Sequence, residues 1–190
     1  IKVIYHSGGS KPGYNLPENQ IHNTSRHYFT AVECPISLVR ELRSSQDPGS
    51  TVHVELDVSK TKSLRTGRSV AFAYTTADNL GVLPVNTDHT VEFVAHALGY
   101  DLDAVISVEA AGNHEWHGAP FPMPISIREC LTRFCDLTGS PRRSDLKMLA
   151  AYCRDDMDQK ALLRMSSKEG RSEYKEKIVE GYVGLVDLMK

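Results

Sequence analysis

The sequence predicts an α+β fold, with strands gathered before residue 86 and helices gathered after residue 124. Three observations lead there. Residues 51–58 alternate apolar Val52, Val54, Leu56 and Val58 with polar Thr51, His53, Glu55 and Asp57, the period of a strand with one face of each kind. Residues 126–189 place apolar side chains three and four apart, the period of helices with one buried stripe. The two patterns are segregated along the chain and do not alternate, so a wound parallel sheet is disfavoured.

Residues 1–27 carry little pattern and are expected to form a linker, most clearly at His6, Ser7, Gly8, Gly9, Ser10, Lys11, Pro12 and Gly13, because Gly and Ser add freedom and Pro blocks pairing. Residues 28–33, 69–74 and 80–83 are further strand candidates, the last closed by Pro84. The polar, basic residues 59–68 read as a solvated loop between strands. Thr87 is placed to cap a helix carrying Val91, Val94, Ala95 and Leu98, with Gly99 as its stop. Residues 104–108 form a short apolar strand candidate.

Ser126 is expected to cap a helix with Ile127, Cys130, Leu131 and Phe134 on one face, broken by Gly139, Ser140 and Pro141. Residues 145–154 and 156–165 give two more helices. Residues 172–189 are expected to form the longest, with Tyr174, Ile178, Tyr182, Leu185 and Met189 in one stripe.

Composition narrows the class. The 190 residues carry a formal charge of −2, which gives no general affinity for nucleic acid or for acidic membranes. No apolar run reaches the roughly 20 residues needed to cross a bilayer. Cys34, Cys130, Cys135 and Cys153 contain no CxxC pair and read as reduced, packed thiols in a cytosolic setting. The first residue is Ile1, and the chain is expected to begin inside a longer one.

Local motifs assign no catalytic residue. His114, Glu115, Trp116 and His117 supply half of a metal set without the HExxH spacing, so no metal site is expected. Gly8 and Gly9 lack the Lys-Ser/Thr of a phosphate loop, and no GxGxxG or GxSxG occurs. Asp155, Asp156 and Asp158 fall at a helix start, where carboxylates favour the positive end of the dipole. Cys34 has no neighbouring cation to activate it. Arg142, Arg143 and Lys147 form a basic cluster, a solvated face or a surface for an acidic partner.

One stretch is more specific. Asp78, Asn79, Leu80, Gly81, Val82, Leu83, Pro84, Val85 and Asn86, followed by a helix ending at Leu98 and Gly99, resemble the GDxxxVxPxN segment of diflavin reductases. Residues 101–107 resemble the aspartate-rich passage and short strand that follow. Residues 120–132 are similar to the FPxPxSxRxxLT segment. Asp136, Leu137, Thr138, Pro141 and Arg142 match DLTxxPR. Residues 149–152 and 162–170, with Tyr174, Val179 and Glu180, match the later landmarks in order.

The resemblance implies a fold and a set of roles. Residues 28–86 would be the early strands of a partial antiparallel β-barrel, an incomplete FAD domain of the ferredoxin-reductase type. Residues 87–190 would be a mostly helical connecting domain inserted into it, setting the distance between two flavins. The parent would pass electrons from NADPH through FAD and FMN to a haem protein, on the cytosolic side and anchored at the endoplasmic reticulum. By family position, Arg40 would contact NADPH, and Asn79 and Tyr182 would contact FAD.

The chain departs from the family pattern. Family members often carry His where Asn79 stands, Gly where Ala77 stands and Arg where Tyr182 aligns. The RxYS motif and the diphosphate turn that grip FAD are not among these residues. The fragment alone is therefore expected to be inactive and to hold no cofactor tightly, because nanomolar retention needs about 12 kcal/mol. Its partners would be the remaining FMN, FAD and NADPH domains, with self-association through open barrel edges. The alternative is a stand-alone interaction module of the same fold, without flavin, that docks through Arg142, Arg143 and Lys147.

Overall fold

A computed structural model describes residues 2–7, 13–14, 16–112 and 118–190. By its internal contacts the chain divides into two units, Ile1–Leu83 with Val105–Ser126, and Pro84–Ala104 with Ile127–Lys190.

The first unit holds β1 (Lys2–His6), α1 (Arg26–Thr30), β2 (Val32–Glu33), β3 (Ile36–Glu41), β4 (Val52–Leu56), β5 (Lys62–Ser63), β6 (Val105–Glu109) and β7 (Ile125–Ser126). These strands form one three-stranded sheet, ordered β1-β6-β7, and the two-stranded pairs β2-β5 and β3-β4. Every ladder is antiparallel. Helix and sheet are mixed, and the described residues close no barrel.

One expectation fails here because its partner is distant in sequence. The segment read as linker contains β1, whose Ile4 pairs with Ser107 and whose Tyr5 pairs with Ile106. Its partner lies about a hundred residues away, so no local pattern reveals the pairing. Residues 18–25 add two 3-10 turns, and Ile21 packs with Phe29 and Ala119 in a small core. Gly118 makes that packing feasible. At φ 97° a Cβ there would lie 2.6 Å from the amide nitrogen of His22.

The strand candidates are only partly realised. Residues 51–58 do yield β4, and residues 104–108 yield β6. Residues 28–33 instead finish α1 before the two-residue β2. Residues 69–74 contribute a single bridge, Ser69 to Lys62, and residues 80–83 contribute no strand. The loop expected at 59–68 contains β5 and a 3-10 turn.

The second unit holds α2 (Asp88–Leu98), α3 (Ile127–Arg133), α4 (Arg143–Ala150), α5 (Asp156–Ser166) and α6 (Arg171–Tyr174). Thr87 caps α2 by accepting from the Thr90 amide at 3.2 Å. Gly99, at φ 67°, ends it in the left-handed conformation that glycine adopts freely. The first amides of α3 donate to the carbonyls of Ala104 and Leu102. Asp155 caps α5, accepting from the amides of Met157 and Asp158. That is the helix-start role its sequence position implies.

α4 and α5 close a core of Leu146, Ala150, Leu162, Met165 and Ile178, with Leu149, Tyr174, Val183 and Leu188 packed against it. The long helix expected over 172–189 is broken. After α6 the chain forms one π-helical turn, Lys175–Val179, and then leaves helical geometry until a 3-10 turn at Val186–Met189. Gly181 and Gly184 interrupt the helix, and the amides of Leu185 and Val186 turn to the carbonyls of Gly139 and Leu137. Periodicity alone saw the stripe and overlooked the two glycines within it.

Candidate functional site

Three short regions carry the residues singled out from the sequence. The first is the β3-β4 hairpin, which bears Arg40 opposite His53. Its end is organised by Glu41. One carboxylate oxygen accepts from the amides of Leu42, Arg43 and Thr51, each at 2.9 Å. The other accepts from the Ser50 hydroxyl at 2.5 Å. The Ser50 hydroxyl and these amides hold the exposed Glu41 carboxyl down at about 2. Arg43 closes the loop through Thr51 at 2.7 Å and Asp47 at 2.9 Å. Arg40 is exposed and, among the described residues, enters no ion pair.

The apolar face of this hairpin is uncovered. Val54 is 47% exposed and Ile36 is 60% exposed, with Val39 and Val52 also open. The alternation read from the sequence is thus realised as a strand, but its apolar side faces outward.

The second region is the turn before Asn79. The Thr75 amide donates to the Asp78 carboxylate at 2.7 Å, and the Asp78 amide donates back to the Thr75 carbonyl at 3.1 Å. The Thr75 bonds hold the Asp78 carboxyl below the usual carboxylate range. Ala77 within this turn sits at φ 72°, in the left-handed region that favours glycine. That accounts physically for the glycine that diflavin reductases often place there. Asn79 is exposed just beyond it.

The third region, in the second unit, is the turn of Tyr182. Tyr182 stands at φ 51° with 87% of its surface exposed, between Gly181 and the buried-side Val183. Its amide donates to the Val179 carbonyl at 3.3 Å. An aromatic ring held outward on such a backbone offers a flat apolar face with a polar tip.

Arg40 and Asn79 lie in the first unit, and no hydrogen bond brings them together. A shallow open groove in that unit is lined by Val58, Ser59, Ser69, Val70, Ala71 and Phe72, and includes neither. The four-residue His114 to His117 cluster lies outside the described residues, as does the Gly8 to Pro12 stretch. Among the described residues no three His, Cys, Asp or Glu side chains converge as a metal site. No described helix is long and apolar enough to cross a membrane. The cysteines are free thiols.

The three cations at the start of α4 differ in exposure. Arg143 is half-buried, and its guanidinium donates to the carbonyls of Ser166, at 2.9 Å, and Ser167. It therefore caps the end of α5, leaving Arg142 and Lys147 as exposed cations.

Asn86 is the polar residue whose structural part the sequence concealed. Its side-chain amide donates to the carbonyls of Leu131 at 2.6 Å and Cys135 at 2.7 Å, and its backbone amide donates to Thr132 at 2.9 Å. These bonds satisfy the free carbonyls at the end of α3. The only signal for this is the place of Asn86 at the end of the DNLGVLPVN run, which says nothing of its partners.

Comparison with known proteins supplies the frame for these regions. Residues 22–190 match the model of the FAD binding domain family. NADPH–cytochrome P450 reductase of Oryctolagus cuniculus is 35% identical over 131 residues, 68% of this chain and 18% of that protein. The enzyme of the same name from Drosophila melanogaster is 30% identical over 158 residues, 82% of this chain and 22% of its own length. That of Dictyostelium discoideum is 30% identical over 193 residues, covering all of this chain and 26% of its own length. The chain thus spans about a quarter or less of these relatives. With the ordered landmarks from Asp78 to Glu180, these matches place the chain in the diflavin reductase family, as a part of its FAD-binding domain.

Proposed function

We propose that this chain is a segment of an NADPH-dependent diflavin oxidoreductase that passes electrons from NADPH through FAD and FMN to a haem protein. In this reading residues 28–86 are scaffold for the FAD barrel, and residues 87–190 are the helical connector that spaces the flavins. The single observation behind it is the family match over residues 22–190, supported by relatives that all bear the name NADPH–cytochrome P450 reductase. FAD and FMN would supply the redox chemistry, and the protein would supply position and electrostatics. The parent would work at the cytosolic face of the endoplasmic reticulum.

The uncovered apolar face of β3-β4 fits this role. A two-stranded hairpin is marginal by itself and gains stability when a third layer covers it. Remaining FAD-domain segments would be that layer, and in their absence the open edges would favour self-association. Tyr182 offers a ring for the flavin and Asn79 an amide, while Arg40 offers a cation for the NADPH phosphates. Those contacts alone are too few for tight retention, so the isolated chain is expected to lose FAD on desalting.

The test is the complete protein that includes this sequence. Its message should encode a flavodoxin-like region before Ile1 and RxYS with an NADPH domain after Lys190. The purified product should carry both flavins and reduce cytochrome c with NADPH. A stop codon directly after Lys190, with no flavin bound in cells, would establish an interaction module instead.

A further inference from the structure

The turn that follows β5 concentrates positive charge. Of the 22 cations and 24 carboxylates in the chain, residues 58–77 take four cations, Lys60, Lys62, Arg65 and Arg68, and no carboxylate. The net charge of −2 is therefore +4 here and −6 elsewhere. Lys60 is paired with Asp57 at 2.8 Å. Among the described residues Lys62 and Arg68 enter no ion pair, although Glu33 stands opposite Lys62 in the β2-β5 ladder. The base of the turn is fixed. Buried Thr61 donates its hydroxyl to the Val70 carbonyl, and the Val70 amide donates to the Thr61 carbonyl at 3.1 Å. The Ser63 amide donates to the Arg68 carbonyl at 2.9 Å, and the Gly67 amide donates to the Ser63 carbonyl at 2.7 Å. Gly67 reverses the chain at φ 67°, and a Cβ there would meet nothing within 4 Å. The turn stands clear of the body, with residues 65–71 exposed without a break. Apolar groups accompany the cations. Val70 is 40% exposed and Tyr74 is 66% exposed, with the Phe72 ring 6.2 Å from that of Tyr74.

We propose that this turn docks on an anionic lipid surface through Lys62, Arg65 and Arg68, with Val70 and Tyr74 beside them. Shape decides against a small ligand, because such sites are concave and a protruding turn encloses nothing. A broad anionic face is what cations on an exposed turn can meet. The apolar neighbours favour a bilayer over a soluble polyanion. A tyrosine ring has an apolar body and a polar tip, which suits the headgroup level, and Val70 loses water contact on entering the acyl boundary. The −6 carried elsewhere is repelled by the same surface, so the turn is the part presented to it. Each cation close to an anionic leaflet multiplies binding about fivefold, which makes three worth a factor of roughly 100. A local patch thus gives an affinity that the net charge hides.

Co-sedimentation of the whole chain with vesicles tests this. Vesicles of phosphatidylcholine mixed with phosphatidylserine should carry the protein down, and vesicles of phosphatidylcholine alone should leave it in solution. Salt at about 1 M, where screening acts over roughly 3 Å, should release it. Replacing Lys62, Arg65 and Arg68 together by Gln should weaken binding by a factor of roughly 100. Replacing Arg142 and Lys147 by Gln, which removes two exposed cations from the other unit, should leave binding unchanged. Tyr74→Ser should weaken it severalfold, an effect that charge alone does not produce. The salt and lipid comparisons use the unmutated chain, so they decide the matter even where a variant folds poorly. The proposal is overturned if neither vesicle binds the chain, if both bind it equally, or if the Arg142 and Lys147 variant loses as much as the triple one. Full displacement by poly-glutamate at equal charge, with no effect of Tyr74→Ser, would assign the turn to an acidic protein segment and overturn it as well.

Discussion

The β3-β4 hairpin and the α4-α5 pair began as equally clear patterns and ended differently. The hairpin has a strand period in β4, and its apolar face is open, with Val54 47% exposed. The helical pair has a helix period, and Leu146 at its centre is 0% exposed. Periodicity therefore reports which face wants cover. Whether cover exists within the same chain is set by partners that the pattern does not name. For the helices the partner is the next helix and the π-turn bearing Ile178; for the hairpin it is not among the described residues.

The largest expected effect separates these two regions. Leu146→Ala should destabilise by about 3 kcal/mol, since a filled core site becomes a cavity. Val54→Ala should cost under about 1 kcal/mol, because little burial is lost and only strand preference changes. Urea titrations of both variants measure the contrast. Equal losses would show that the hairpin face is covered in solution. Light scattering across concentrations then distinguishes a self-associated form from a monomer.

Next in size is Asn86→Ala, expected to cost about 2 kcal/mol by leaving the Leu131 and Cys135 carbonyls without their shared donor. A loss below about 0.5 kcal/mol in the same titration would mean that water replaces the amide without penalty. The prediction also sharpens the comparison. The helical unit would rest on a polar clamp as well as on its core, whereas the hairpin has its ladder and the polar network at its tip but no buried core.

How much of this was legible follows the range of each interaction. The caps at Thr87 and Asp155, the stop at Gly99 and the strand at Val52–Leu56 are local, and the sequence declares them. β1 pairs about a hundred residues away, so local pattern shows only a linker there. Arg143 reaches Ser166 and Ser167 across the α4-α5 pair, so its cluster looked free. Of the candidate contacts, Arg40, Asn79 and Tyr182 owe their positions to family alignment, and only the Tyr182 and Ala77 regions show backbone geometry that local sequence could not announce.

That geometry gives a smaller prediction. Ala77→Gly should raise stability by about 1 kcal/mol, because the left-handed conformation costs an L side chain roughly 1–2 kcal/mol and the unfolded glycine chain recovers part of it. Denaturant midpoints compared at constant slope measure it. A destabilised variant would show that the Ala77 methyl makes a contact worth more than the strain.

The smallest effect concerns the hairpin tip and depends on pH. The Glu41 carboxyl titrates at about 2 in the folded chain against an ordinary 4.5. Between those values the unfolded chain binds more protons than the folded one, so acid favours unfolding there. The Glu41 contribution is fully present above about pH 4.5 and drains away as the pH falls toward 2. Glu41→Gln keeps an acceptor oxygen and removes the titration. The gap in melting temperature between the original chain and E41Q should therefore be widest near neutrality and shrink on descent through this window. Because Glu41 is exposed, salt should narrow the gap as well. A gap that stays constant from pH 5 to pH 2 would show that the four donors around Glu41 shape the loop without stabilising its charge, and the hairpin would then lack even this local anchor against which the helical unit is compared.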